Sequence, residues 1–319
     1  MNFTLKARDV DGNEITLSRP SSIVINSSVD APADSMTVIL PCSFAPPELC
    51  EISLSADGSL AFSGIVDEQT VYYSGGLMLR IDARSSAALL LDNEALPATY
   101  NSPSLADIYS LHAQNYGIKG FVGSGVCNGD FSVKKGMSEW EVIESFCRSV
   151  MGVQPVITKD LILDARENKT DEHYVFSNEI PGAVGFSEAT LRRKRYGEIS
   201  EILYKLSAGN IYDLRYENAD AAGRGISSRR LLNLSENDGK FNEYRIKNII
   251  SKSRQDAFEL KLTLPDICVT TLFAGASVYD GKIGNYENLL VKEADFSLSQ
   301  KGVFTRLTLC PEENISIAL

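Results

Sequence analysis

The residues of this chain with the most chemical potential are a glycine-rich loop, two histidines, six cysteines and one dense basic run. Gly123-Ser124-Gly125-Val126-Cys127-Asn128-Gly129 has the composition of a phosphate-binding turn. Such a turn holds its anion on backbone N–H groups at the start of a helix. This one lacks the Gly-Lys-Ser/Thr of a P-loop and misses the third glycine of the dinucleotide fingerprint by one position. The residues after it, Asp130 to Val133, alternate like a strand, so the segment is read as a plain turn. His112 falls on the apolar side of a helical pattern, and His173 lies beside a polar stretch. No Gly-x-Ser-x-Gly elbow accompanies either, which leaves Ser/His/Asp or Cys/His catalysis without support.

Cys42, Cys50, Cys127, Cys147, Cys268 and Cys310 include no Cys-x-x-Cys pair, the close spacing on which zinc sites rely. They read as buried free thiols in a reducing compartment, although Cys42 and Cys50 flank a proline-containing loop and could bridge on oxidation. Carboxylate pairs such as Asp67-Glu68 carry little information in an acidic chain, and the two acids of a glycosidase can lie far apart in sequence. No catalytic, cofactor-binding or metal-binding residue is assigned, and no cofactor is expected.

Arg192-Arg193-Lys194-Arg195 is the dense basic run. It could bind phosphate, salt-bridge an acidic neighbouring subunit, or simply be solvated. No interleaved aromatics make it a base-stacking platform. The net charge is −11, and its placement is uneven. Residues 1–95 hold thirteen acids against five bases, Lys6, Arg8, Arg19, Arg80 and Arg84. Such a surface repels nucleic acid, the reverse of a DNA reader's footprint. A hydrophobic fraction of 44% and a charged fraction of 23% are those of an ordinary globular protein. Met1 to Val10 alternates apolar and polar residues and does not read as a signal peptide. The longest apolar runs are too short to span a bilayer. The expectation is a protein made and assembled in the cytoplasm.

The elements that must position these residues are mostly strands. Phe3-Leu5-Ala7 and Ile15-Leu17 flank a turn at Asp11-Gly12-Asn13, and Ile23 to Ile25 and Met36 to Leu40 follow. Asp57-Gly58 and Gly75-Gly76 are hairpin signals between further apolar runs. After Pro97 the pattern turns helical. Leu105, Ile108, Tyr109, His112 and Tyr116 share a helix face that ends at Gly117. Ser138 and Glu141 form a capping box with Met137 stapled onto Val142, and Gly152 sits at the C-terminal cap. Val156-Ile157 and Leu161 to Leu163 read as a hairpin. Residues 167–172 read as a linker, and Ala219 to Gly225 as a mobile loop. Residues 248–262 start like a helix and end like a strand. Leu289 to Leu298 and Val303 to Leu309 close the chain as a hairpin. The fold class expected is α+β, mostly β. It has two barrel-like β domains, 1–97 and 169–319, with a small α+β domain, 98–168, between them and a helical insertion near 248–262.

The ordered set of signatures resembles the baseplate hub family of contractile tails. That family spans the Mu-like phage tail hub, the late control protein D group and the N-terminal part of type VI secretion spike proteins. The resemblance is carried by Phe62-Ser63-Gly64-Ile65-Val66-Asp67-Glu68 and Leu79 to Ser85 with Leu89 to Glu94. It continues through the Ser104 to Gly117 helix, the Phe131 to Gly152 strand and helix, and Leu289 to Pro311. Residues 170–285 match least.

The resemblance implies a homotrimer forming a pseudo-sixfold ring. That ring would join a tail tube above to a spike below, contact other baseplate (wedge) proteins and leave a channel for DNA or cargo. A negative channel wall would then keep DNA from sticking. Because the sequence ends at Leu319 without a repetitive β-helix, the spike is expected to be a separate polypeptide. The implied location is the tail baseplate of a virion, prophage-derived particle or tailocin, assembled in the bacterial cytoplasm. The alternatives are a tail tube or tube-initiator protein and a tail-associated β-rich cell-wall hydrolase. An adhesin would show exposed aromatics on one face, and the tyrosines Tyr72, Tyr73, Tyr109, Tyr116, Tyr196 and Tyr204 suit strand packing equally well.

Overall fold

The computed structural model describes residues 3–315, apart from 168, 207–210, 235–238, 255, 266–270 and 301. Alternating apolar residues at the start of the chain form strands β1 (Phe3–Asp9), β2 (Glu14–Leu17), β3 (Ser22–Ser28), β4 (Ser35–Pro41), β5 (Leu49–Ala56), β6 (Ser59–Tyr73) and β7 (Leu77–Ser85). The period of two turns Leu5, Ala7, Ile23, Ile25, Met36, Val38, Leu40, Ile52, Leu54, Leu79 and Ile81 into one shared core. Each such buried Leu, Ile, Val or Met side chain contributes about 1.5–3 kcal/mol. Asp57 and Gly58 both take positive φ, 47° and 85°, the pair a type I′ hairpin requires between β5 and β6.

A short helix α1 (Ala88–Asp92) leads into the middle unit. It consists of β8 (Ala98–Asn101), α2 (Leu105–His112), β9 (Gly120–Val122), β10 (Asp130–Val133), α3 (Glu139–Phe146), β11 (Val156–Ile157) and β12 (Ile162–Asp164). Both helices begin with a complete capping box, Ser104 with Asp107 and Ser138 with Glu141. One π-helical turn follows α3 and ends at Gly152, whose φ of 71° forms the left-handed cap. A second core, including Leu105, Ile108, Trp140, Val142, Ile143 and Phe146, fills this unit.

The remainder comprises β13 (His173–Phe176), β14 (Glu188–Arg193), β15 (Glu201–Leu206), β16 (Leu214–Glu217), α4 (Ala219–Gly223), β17 (Arg229–Leu234), α5 (Gly239–Arg254), β18 (Phe258–Leu264), β19 (Gly275–Asp280), β20 (Gly284–Ser299), β21 (Gly302–Pro311) and α6 (Glu312–Ile315). One expectation is corrected here. Ala219 to Gly225 is not a loose loop: its start is a helical turn, because the Asn218 side chain accepts from Ala221 N and caps it. The helical start and strand end read in 248–262 are both present, and the helix begins earlier, at Gly239. The apolar stripe of α5, Ile246, Ile249 and Ile250, packs on Ile202, Tyr204, Tyr216 and Leu234. Thus β16-β15-β17 and α5 make a small α+β insertion with its own core.

The fold is therefore mostly β, with two barrel-like β parts and smaller α+β parts. One large sheet carries both β parts, in the order β14-β18-β21-β20-β3-β4-β7-β6-β5-β1-β2. Its centre is the antiparallel β20–β3 ladder, in which Glu293 faces Ser28, Asp295 faces Asn26 and Leu298 faces Ile23.

That order conceals a repeat. The run β3-β4-β7-β6 has the same sequence of antiparallel pairings as β14-β18-β21-β20. The long strands also break register at matching points, between Val66 and Glu68 in β6 and between Val291 and Glu293 in β20. A bulge at the same place in two strands is a specific structural feature rather than a generality of sheets.

Candidate functional site

His112 is buried on α2, where Leu105 and Ile108 fix its side of the helix. Its Nδ1 lies 2.6 Å from Oε2 of buried Glu139, at the first turn of α3. Tyr116 donates its hydroxyl to Glu139 Oε1 at 2.9 Å, and the Tyr100 hydroxyl sits 3.2 Å from His112 Nε2. A histidine held by a carboxylate has the form of a general base and its orienter. Here both ring nitrogens are engaged inside the core, on Glu139 and Tyr100, so the network ties β8, α2 and α3 together. His173 Nε2 lies 3.0 Å from the Ser277 hydroxyl across β13 and β19, but Ser277 is buried. No carboxylate bonds the other nitrogen of His173 among the described residues.

The glycine-rich loop spends its backbone on packing. Gly125 O accepts from Leu105 N, Gly129 O accepts from Ser102 N, and Cys127 N donates to Pro103 O. A side chain at Gly123 would press on Ala165 O at 2.9 Å, which explains the glycine without a ligand. Cys42, Cys50, Cys127, Cys147 and Cys310 are free thiols, and Cys268 lies outside the described residues. Burial pushes the thiols of Cys147 and Cys310 up to about 12. Among the described residues no group of three or more metal-ligating side chains converges.

The charged features behave differently, because they gather on strand edges and on the junction. Asp67 occupies the β6 bulge and is clamped by Arg84 at 2.7 and 2.9 Å, with Arg84 also bidentate to Asp92. Hydrogen bonds donated to both acids, Asp67 first, raise the Arg84 guanidinium above its ordinary value. The basic run lies at the end of β14. Arg192 reaches Glu259 at 3.1 Å and Lys194 reaches Asp256 at 3.4 Å. Arg193 lies over the Phe258 ring, and Arg195 donates to Arg224 O.

The junction itself is centred on Lys292, in the β20 bulge and only 2% exposed. Its ammonium is 3.1 Å from Asp256, 3.5 Å from Asp30 and 3.9 Å from Glu259. Burial alone would lower Lys292, but Asp30 and then Asp256 outweigh it and hold the ammonium above its ordinary value. Val29 N donates to Lys292 O, and Gln154 of the middle unit donates to Val29 O, so three parts of the chain meet there. Sequence reading missed this cluster, because its four members come from three stretches far apart in sequence, around 30, 256–259 and 292.

The sheet path ends at β2, which pairs only with β1, and among the described residues two further edges are open. β14 pairs only with β18, and β6 beyond Ile65 pairs only with β7. Among the described residues, the backbone of Glu68–Tyr73 and of Glu188–Arg193 has no backbone hydrogen-bond partner on its outer side, while the Gln69 side chain accepts from Leu49 N and donates to Pro46 O and Pro47 O. Unpaired strand edges are templates for another strand.

No protein-family model matches the sequence, and no curated protein matches it. Solved structures do match over nearly the whole chain. A 43 kDa tail protein of prophage MuSo2 from Shewanella oneidensis has a TM-score of 0.81 at 14% identity, covering 98% of both chains. A tail protein from Neisseria meningitidis has a TM-score of 0.77 at 17% identity, covering 99% of this chain and 98% of that one. A type VI secretion component of E. coli, described as similar to the T4 bacteriophage tail proteins gp27 and gp5, has a TM-score of 0.61 at 8% identity. It is matched over 96% of this chain and 76% of that chain. At these identities the likeness is one of fold: the chain shares the fold of these phage tail proteins and of this type VI secretion component.

Proposed function

We propose that this chain is a structural subunit of a phage-type tail, the hub of a contractile baseplate, with no catalytic role. The observation that carries this reading is the repeated four-stranded unit within a chain whose whole length shares the fold of phage tail proteins. Two like units per chain give three chains six near-equivalent positions. A trimer then matches a sixfold tube on one side and a threefold spike on the other. In functional terms the chain divides into β domain 1–97, α+β domain 98–168 and β domain 169–319, with the tube and spike as partners and wedge proteins at the periphery. The ring leaves a channel for DNA or cargo, and acids of residues 1–95 on its wall keep DNA from adhering. Its place is the tail baseplate of a virion or related particle, after assembly in the bacterial cytoplasm.

The test is the solution mass of the purified chain by light scattering behind size exclusion, with negative-stain images of the same fraction. A mass of three chains and a ring with a central hole support the hub. A species that stays monomeric at every concentration, alone and with its tube and spike proteins, removes it.

A further inference from the structure

The repeat identifies two strand edges that lack a partner within the chain. Register across the ladders aligns the units residue by residue. Ile81 faces Val38 and Gln69, while Leu307 faces Leu262 and Ala294. Strand β6 beyond its bulge therefore corresponds to β20 beyond its bulge, with Glu68 equivalent to Glu293 and Tyr73 to Leu298. Likewise β14 corresponds to β3, with Ala189 equivalent to Ile23 and Arg193 to Ser27. Within the chain, β20 beyond the bulge pairs with β3. Its equivalent, Glu68–Tyr73, and the equivalent of β3, β14, are the two further open edges.

We propose that Glu68–Tyr73 of one copy pairs antiparallel with β14 of the next copy, in the register of the β20–β3 ladder. This rests on the trimeric reading above and specifies its contact. The register places Glu68 opposite Lys194, Gln69 opposite Arg193, Thr70 opposite Arg192, Val71 opposite Leu191, Tyr72 opposite Thr190 and Tyr73 opposite Ala189.

Three observations converge on that pairing. The acidic pair Asp67-Glu68 meets the basic run Arg192 to Arg195, so opposite charges face each other. Tyr73, 81% exposed in the single chain, takes the place of Leu298, which packs on the core holding Ile23 and Ile25. Finally, the charge pattern is inverted between the two junctions. Inside the chain a base in the bulge, Lys292, meets the acid Asp30 after β3. Between chains an acid in the bulge, Asp67, meets the basic segment after β14. Inversion disfavours the wrong union, because the acidic bulge at Asp67 would then face Asp30 and the basic bulge at Lys292 would face the basic run. The contact is heterologous, so it closes into a ring or grows into a filament.

The experiment uses the full chain. Tyr72→Cys combined with Thr190→Cys is oxidised and run on non-reducing gels, against Tyr72→Cys combined with Arg193→Cys, whose second cysteine belongs to the opposite face. The expected result is a ladder ending at three chains for the first pair and only monomer for the second. In parallel, Glu68→Lys is expected to raise the half-dissociation concentration of the trimer about tenfold, and adding Lys194→Glu to restore it. A wild-type trimer whose in-register pair does not cross-link, or whose mass ignores Glu68→Lys, overturns this edge and leaves the trimer standing. A wild type that is monomeric throughout overturns both.

Discussion

At the scale of single residues, the buried polar groups have structural duties. Cutting the His112–Glu139 pair leaves a buried group without its partner, and such losses cost about 3–5 kcal/mol. His112→Ala is expected to lower unfolding stability by about that amount in urea titrations, while Tyr116→Phe, which removes one hydrogen bond, costs about 1 kcal/mol. The thiols separate in the same manner. A water-soluble disulfide reagent should label Cys42 and Cys50 in the native protein and reach Cys127, Cys147 and Cys310 only on unfolding, as peptide mass spectrometry would show.

Lys169 supplies a pH signature. Burial, partly offset by Asp164, lowers it to about 8 from the ordinary 10.5. Between those values the unfolded chain keeps a proton that the folded chain has lost, so folding is favoured as pH rises through that window. Lys169→Met should therefore stabilise the protein at pH below 8, with its advantage shrinking towards pH 10; an advantage independent of pH would contradict this. The apolar setting of His112 was legible from its helical spacing. Its partner was not, because Glu139 lies 27 residues away and reads as an ordinary first-turn acid.

At the scale of elements, local chemistry carried most of the reading. Turns at Asp57-Gly58 and Gly75-Gly76 and the Ser138–Glu141 capping box were legible because they depend on neighbours in sequence. The first half of helix α5 was missed because its first two turns are mostly polar, and its apolar stripe is defined only by the small sheet it covers. The four-stranded repeat was invisible for a related reason. It is a repeat of register and bulge, and few side chains coincide beyond Val66 with Val291, Glu68 with Glu293 and Arg80 with Arg306. Gly64, just before the β6 bulge, is a direct probe of this geometry. A Cβ there would sit 2.1 Å from Arg84 O, so β6 and β7 would have to part. Gly64→Ala is expected to cost about 2–4 kcal/mol, read from the shift of the thermal midpoint. An unchanged midpoint would show that the two strands are not so closely apposed.

At the scale of the whole molecule, the two β parts are one sheet only because β20 meets β3, and Lys292 stands at that seam. Nothing in the sequence marks it, since a lysine between Val291 and Glu293 reads as an exposed strand residue. The Asp256 carboxylate is lowered by the same contact, chiefly its hydrogen bond with Lys292. The raised Lys292 contributes fully below the ordinary lysine value, and that contribution is lost as pH climbs through its elevated one. The lowered Asp256 contributes above the ordinary carboxylate value and is lost as pH falls through its depressed one. The seam is therefore intact across the neutral range and weakens towards both extremes. Lys292→Met separates charge from packing. Asp30 and Asp256 are 40% and 52% exposed and can turn to water, whereas Glu259 is 7% exposed and retains Arg192. The loss should accordingly fall to about 2–3 kcal/mol, below that of a fully buried pair. Lys292→Glu goes further, setting a like charge against Glu259 and Asp30. Its calorimetric trace should split into two transitions where the wild type shows one. A single unsplit transition would mean that backbone pairing and the Val29, Phe273 and Cys310 contacts hold the halves together without the ion cluster.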